Sequence, residues 1–172
     1  MANLPVVFLS HSGLDHKLAN DLAQRLELGL NVRGLSVRVF NTSEPENRFK
    51  DIREVIEVGA NFAVETEKYE AELRAYLKGN LLSSAAYVLL VTKQSLRKNS
   101  GWIEFEMELA RAEAKKKGQF FFPCAADGAT LSQLPRVASY FQGIQLDAHD
   151  GFRKLSGAVE LVINSKLQDE GT

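Results

Sequence analysis

Apolar and polar positions switch between two periods along the chain, and the switches mark its elements. Val6-Val7-Phe8-Leu9 is an unbroken apolar run, the pattern of a strand covered on both faces. Beyond Ser10-His11-Ser12-Gly13 the period lengthens. Leu18, Leu22 and Leu26 recur every four residues and predict a helix, with Ser12 as N-cap and Asp15 completing a capping-box-like start. Gly34 closes that connection, and Leu35-Ser36-Val37-Arg38-Val39-Phe40 alternates as an edge strand with one wet face does. Residues 41–66 form a long segment in which Pro45 opens a short helix carrying Phe49, Ile52 and Ile56 and ended by Gly59. A further helix over 65–80 carries Tyr69, Leu73, Tyr76 and Leu77 on one stripe.

The second half repeats the alternation of strand and helix. Tyr87-Val88-Leu89-Leu90-Val91 is the most apolar run and predicts a central strand, followed by a polar loop, Thr92-Lys93-Gln94-Ser95. Ser100 caps a helix over 101–117, whose closing lysines, Lys115 to Lys117, suit the negative end of its dipole. Phe120-Phe121-Phe122 is another buried strand. Phe141-Gln142-Gly143-Ile144-Gln145-Leu146 alternates again, and a last helix over 151–166 carries Leu155, Val159 and Val162 or Ile163. Strands separated by helices imply a parallel sheet with right-handed crossovers. The alternating second and fifth strands belong at the edges and the apolar first, third and fourth at the centre. The expectation is therefore a three-layer, flavodoxin-like α/β fold of strand order 2-1-3-4-5, a single domain over 1–167 with a frayed tail at 168–172. In that order the ligand crevice lies at the carboxyl ends of strands one and three, next to Ser10 and Thr92.

One carboxylate breaks the pattern. On a helical wheel of 101–117, with about 100° per residue, Ile103, Phe105, Met107, Leu109, Ala110, Ala112 and Ala114 fill an arc of about 220° around Trp102. Glu104, Glu108 and Arg111 fall on the opposite, solvated side. Glu106 lies near the middle of the apolar arc, one turn after Trp102; Glu113 also points inward, two turns further from the helix start. A buried carboxylate is costly unless something satisfies it. The readings that follow are a structural ion pair with a buried Lys or Arg, a helix end just emerging from the core, or a carboxylate lining a cleft beside an aromatic side chain.

Composition narrows the classes. The 172 residues carry 21 Lys+Arg against 22 Asp+Glu, a formal charge of −1 that gives no electrostatic reason to expect nucleic-acid binding. The single cysteine, Cys124, excludes an intramolecular disulfide and a multi-cysteine zinc site, and His11, His16 and His149 lack ligand spacing, so no metal is expected. No apolar run approaches the ~20 residues of a membrane span, and the start lacks a signal-peptide pattern, which leaves a reducing cytoplasm as the expected location and no membrane partner. Ser10-His11-Ser12 is no nucleophile elbow, and no Gly-x-Gly-x-x-Gly or Walker pattern follows the first strand.

Val7-Phe8-Leu9-Ser10-His11-Ser12 resembles the first strand of a Toll/interleukin-1 receptor (TIR) domain, and Val37-Arg38-Val39-Phe40-Asn41 its second strand and the start of its BB loop. Tyr87-Val88-Leu89-Leu90-Val91-Thr92, then Ser95, then Ser100-Gly101-Trp102-Ile103-Glu104-Phe105-Glu106 is similar to the segment holding the catalytic glutamate in the NAD-consuming TIR domains of bacterial anti-phage defence. The resemblance implies the same strand order, with Glu106 as the catalytic residue and Trp102 walling the site. It places Ser10, His11 and Ser12 at the end of the first strand, and Phe40 and Asn41 at the nucleotide-covering loop. The segment after Asn41 departs from the family by lacking a Pro-Gly pair and by its length.

What the resemblance implies about activity is cleavage of the nicotinamide–ribose bond of NAD+, as substrate and without any further cofactor. The products are nicotinamide and ADP-ribose or a cyclic isomer, a nucleotide signal for a downstream effector. Self-association through TIR surfaces is implied as well. One carboxylate suffices for such chemistry, because nicotinamide leaves neutral and needs no general acid. Two alternatives remain at this stage: a non-catalytic TIR interaction module, and an enzyme resembling a nucleoside deoxyribosyltransferase, which also uses one glutamate on a sugar.

Overall fold

Each strand of the sheet sends alternate side chains to opposite faces, and the helices cover both. The structure, a computed structural model, describes residues 4–41, 79, 84–117 and 120–170. Strand β1 (Val6–Ser10) leads through a 3-10 turn (Gly13–Asp15) into helix α1 (His16–Val32), and β2 (Arg38–Asn41) follows. Strand β3 (Ala86–Thr92) runs into helix α2 (Lys93–Lys117), then β4 (Phe121–Ala126). Two 3-10 segments, Leu131–Gln133 and Arg136–Tyr140, lead to the short β5 (Ile144–Gln145) and the closing helix α3 (Gly151–Glu170). All pairings are parallel and the order is β2-β1-β3-β4-β5, so the expected flavodoxin-like topology and both expected edges hold.

The period-2 pattern divides the core. Val7, Leu9, Ala86, Val88, Leu90, Phe122 and Cys124 pack against Leu22, Leu26 and Leu30 of α1 and Leu155, Val159 and Ile163 of α3. Phe8, Tyr87, Leu89, Val91 and Phe121 face the other way, against Ile103, Met107 and Ala110 of α2 and against Leu134 and Val137. Helix α1 ends in a Schellman motif. Gly34, at φ +85°, donates its N–H to the carbonyl of Asn31 at 2.9 Å, and Leu35 donates to Leu30 at 2.9 Å. Glu27 of α1 reaches the edge strand and accepts from the Val39 N–H at 2.9 Å.

The structure corrects five expectations. Thr92-Lys93-Gln94-Ser95 is no loop, because α2 begins at Lys93, directly after β3. Thr92 and Ser95 form a reciprocal cap: the Ser95 N–H donates to Thr92 Oγ1 at 3.1 Å, and the Thr92 N–H donates to Ser95 Oγ at 2.8 Å. Ser100, expected as the N-cap, therefore lies inside the helix, and Glu106 stands about three and a half turns from its start. Asp15 caps no turn with its side chain; it turns inward to Thr92. Ala112, placed on the apolar arc, is exposed. The last helix runs past 166 to Glu170. The expected helices over 45–59 and 65–80 fall outside the described residues, except that Gly79 is helical.

Candidate functional site

Helix α2 runs antiparallel to β3 on the face lined by Phe8 and Tyr87, and its inward stripe carries Ile103, Glu106, Met107 and Ala110. Glu106 is 2% exposed, whereas Glu104 and Glu108 are exposed, as the wheel requires. Among the described residues, two hydroxyls donate to the buried carboxylate. Ser10, the last residue of β1, donates from Oγ to Glu106 Oε1 at 2.8 Å, and Tyr87, near the start of β3, donates from Oη to Oε2 at 2.6 Å. Both donors are themselves buried. Each oxygen is thereby held in a defined direction by one hydroxyl.

Tyr87 owes its position to a row of rings. Its ring centroid lies 4.7 Å from that of Phe8 and 5.0 Å from that of Phe121, and Phe121 in turn lies 4.7 Å from Phe141. The phenol is fixed at its apolar end, and its hydroxyl finds an acceptor, as buried tyrosines generally do. Sequence reasoning placed Tyr87 only as the first residue of an apolar strand. The available signal was its hydroxyl: Tyr87 shares a face with Phe8 and Ser10 and needs a polar partner there.

The remaining candidates cluster at the carboxyl edge of β1. His11 is 2% exposed, and its Nδ1 lies 2.6 Å from the Ser12 carbonyl oxygen, so Nδ1 carries the hydrogen and donates, a tautomer assigned from this contact. Ser12 caps the 3-10 turn by accepting from the Leu14 N–H at 3.2 Å. Phe40 and Asn41 close β2 and pair in register with Phe8 and Leu9. Trp102 stands one turn before Glu106 on α2. The structure thus joins Glu106 to Ser10 directly, sets His11 and Ser12 next along the chain, and leaves Phe40 and Asn41 one strand away in the sheet.

A second buried carboxylate, missed as a site residue, lies at the same edge. Thr92 Oγ1 donates to Asp15, 3.0 Å from one oxygen and 2.9 Å from the other. Burial pushes the Asp15 carboxyl above its ordinary value; the Thr92 hydrogen bond pulls it back, and the charge of Asp127 adds to the rise. Asp127 begins the turn after β4 with φ 48°, followed by Gly128 at φ 90°, and its carbonyl accepts from the Lys93 N–H at 3.4 Å. Among the described residues, no three His, Cys, Asp or Glu side chains converge as metal ligands, and no helix is long and apolar enough to cross a membrane.

No protein-family model matches the chain, and no curated protein matches it. Among solved structures it is similar to a metazoan TIR-STING receptor from C. gigas, determined in complex with 2',3'-cGAMP. The likeness has 17% sequence identity and a TM-score of 0.52, and covers 94% of this chain but 42% of the receptor chain, so the chain spans less than half that receptor's length. The strand order and this likeness together give the chain a TIR-like, flavodoxin-like α/β fold.

Proposed function

We propose that the protein cleaves the bond between nicotinamide and ribose in NAD+, with Glu106 as the catalytic carboxylate. The observation that carries this reading is a buried glutamate on the inner face of α2, tied at 2.8 Å to Ser10 at the carboxyl end of β1, where open parallel sheets bind their ligands. In the reaction the C1′–N bond breaks and its electron pair stays on the nicotinamide nitrogen, so nicotinamide leaves neutral. Positive charge develops at C1′ and the ring oxygen of the ribose. A carboxylate held in a water-poor site opposes that charge without reorganising. Ser10 and Tyr87 fix the plane of the carboxylate, and Trp102 supplies the aromatic wall that excludes water. Water attacking C1′ and losing a proton gives ADP-ribose; attack on C1′ by a nucleophile of the same molecule, likewise with loss of a proton, gives a cyclic isomer. Phe40 and Asn41 contact the nucleotide from the second strand, with Ser10, His11 and Ser12 on the other side. The product acts in the cytoplasm as a signal to a downstream effector in antiviral defence, and the enzyme assembles through its TIR-like surfaces.

The test follows free nicotinamide from purified protein and NAD+, dilute and in a crowded, assembly-promoting buffer. Turnover in the wild type, reduced at least ~100-fold in Glu106→Gln with an unchanged far-UV spectrum, supports the proposal. Turnover of deoxynucleosides instead assigns the site to a sugar-transfer enzyme. One observation favours a second reading, a non-catalytic TIR-like interaction module: both Glu106 oxygens meet protein hydroxyls, and the side chain is 2% exposed. Equal silence of wild type and Glu106→Gln in every buffer selects that module.

A further inference from the structure

On the far side of α2 from Glu106 a cleft of about 570 Å³ opens between the helix and the 3-10 segments that follow β4. Lys93, Leu96, Arg97 and Glu104 line it from α2, and Gln133, Pro135 and Arg136 from the facing wall. The helix period brings Lys93, Arg97 and Glu104 onto one stripe, within about 40° of each other and roughly opposite Glu106. Further along that stripe the Arg111 guanidinium sits 3.6 Å from the centroid of the Tyr140 ring. That contact pins the second 3-10 segment to the helix and leaves the upper part of the groove open.

The charge in this cleft is out of keeping with its place. The whole chain is nearly neutral at −1, yet three of the four charged side chains lining the cleft are cations. Among the described residues none of Lys93, Arg97 and Arg136 takes part in an ion pair. Lys93 and Arg97, four residues apart, repel each other, and no acidic residue occupies the first turn of α2 to offset them. Places where such local rules are broken are expected to be functional or strained sites.

We infer that this cleft binds a small phosphate ester whose body carries a ring and hydroxyl groups. Two planar guanidiniums and an ammonium suit the oxygens of one phosphate group, with the arginines able to grip it in pairs of parallel bonds. The Glu104 carboxylate accepts from hydroxyls, the Gln133 amide nitrogen donates to them while its oxygen takes the Thr130 N–H, and Leu96 and Pro135 offer apolar surface to a ring. The volume is that of a small-molecule site, far larger than inorganic phosphate needs. The inference does not depend on NAD+ cleavage, because the cleft and Glu106 lie on opposite sides of α2.

Isothermal titration of the full chain with AMP, adenosine and inorganic phosphate tests it. AMP is expected to bind about tenfold or more tightly than adenosine, and more weakly as sodium chloride is raised. The double variant Arg97→Ala/Arg136→Ala, both sites being exposed, is expected to keep the wild-type melting temperature and lose at least about tenfold in AMP affinity. Glu106→Gln is expected to keep AMP binding whether or not it cleaves NAD+, which separates this site from the catalytic proposal. Equal affinity for AMP and adenosine, unchanged AMP affinity in the double variant, or loss of AMP binding in Glu106→Gln alone overturns the inference. Tighter binding of a polyglutamate peptide than of AMP also overturns it and assigns the cleft to an acidic protein partner.

Discussion

Tyr87→Phe isolates the tie between β3 and the buried carboxylate. The substitution deletes one oxygen and keeps the ring, so the packing against Phe8 at 4.7 Å and Phe121 at 5.0 Å is preserved. What is lost is the 2.6 Å hydrogen bond to Glu106 Oε2, in a place where water does not readily replace it, since Tyr87 is 1% exposed. Depriving a buried acceptor of its donor costs about 1–3 kcal/mol. In a chain of this size each kcal/mol moves the melting temperature by about 2–4 °C, so a loss of about 4–8 °C is expected for a mid-range ~2 kcal/mol. Urea unfolding at pH 7 measures the free energy, and an unchanged slope shows that the unfolded state is the same. Ser10→Ala removes the other hydroxyl bonded to the same carboxylate, so the double variant is expected to cost more than the sum of the singles, by about 0.5 kcal/mol or more. A Tyr87→Phe effect below about 0.5 kcal/mol, or simple additivity with Ser10→Ala, refutes the view that this carboxylate depends on its two hydroxyl partners.

Three further outcomes follow. In Gly151→Ala the added Cβ would stand 2.3 Å from the carbonyl oxygens of Gln145 and Leu146, backbone atoms that cannot rotate away. Thermal melting should show a loss of about 1–3 kcal/mol, and a neutral result would mean that the β5–α3 junction yields freely. Asp15 has a folded-state pKa raised by burial above its ordinary 3.8, so the folded protein holds this proton more tightly than the unfolded chain. Its contribution is complete below 3.8 and declines as pH climbs through the raised value. The stability of wild type relative to Asp15→Asn should therefore fall as pH rises from about 4, as read by urea titrations across the acid range; a rise in that difference refutes the assignment. Burial pushes the Cys124 thiol up, so it should react with a disulfide reagent only as fast as the protein unfolds. Rapid labelling in native buffer would contradict its place in the core.

The legible parts of the fold are those governed by one strong period. Tyr87 to Val91 read as a central strand and is one, and Leu155 and Val159 read as the buried stripe of a helix, which Ile163 rather than Val162 completes. The inward position of Glu106 was legible for the same reason, since the wheel does not depend on where the helix begins. The start of α2 was not legible. Ser95 in the third helical position is a weak capping signal beside the stronger-looking Ser100, and the bond that decides between them runs between Thr92 and Ser95. Asp15 and Tyr87 escaped because their partners are distant in sequence: Asp15 finds Thr92, and Tyr87 finds a carboxylate one helix later. The second edge strand shrank to Ile144–Gln145 because the chain after Pro135 winds into a 3-10 segment before reaching the sheet.

The seamless junction of β3 and α2 bears on how the site can move. Strand and helix share the Thr92–Ser95 clasp, and Asp15 braces it from α1's side. Tyr87 and Glu106 therefore ride on the two arms of one stiff hairpin, while Ser10 belongs to a neighbouring arm. A load that parts β1 from β3 falls on the serine contact, whereas the tyrosine contact stays within the unit that β3 and α2 form.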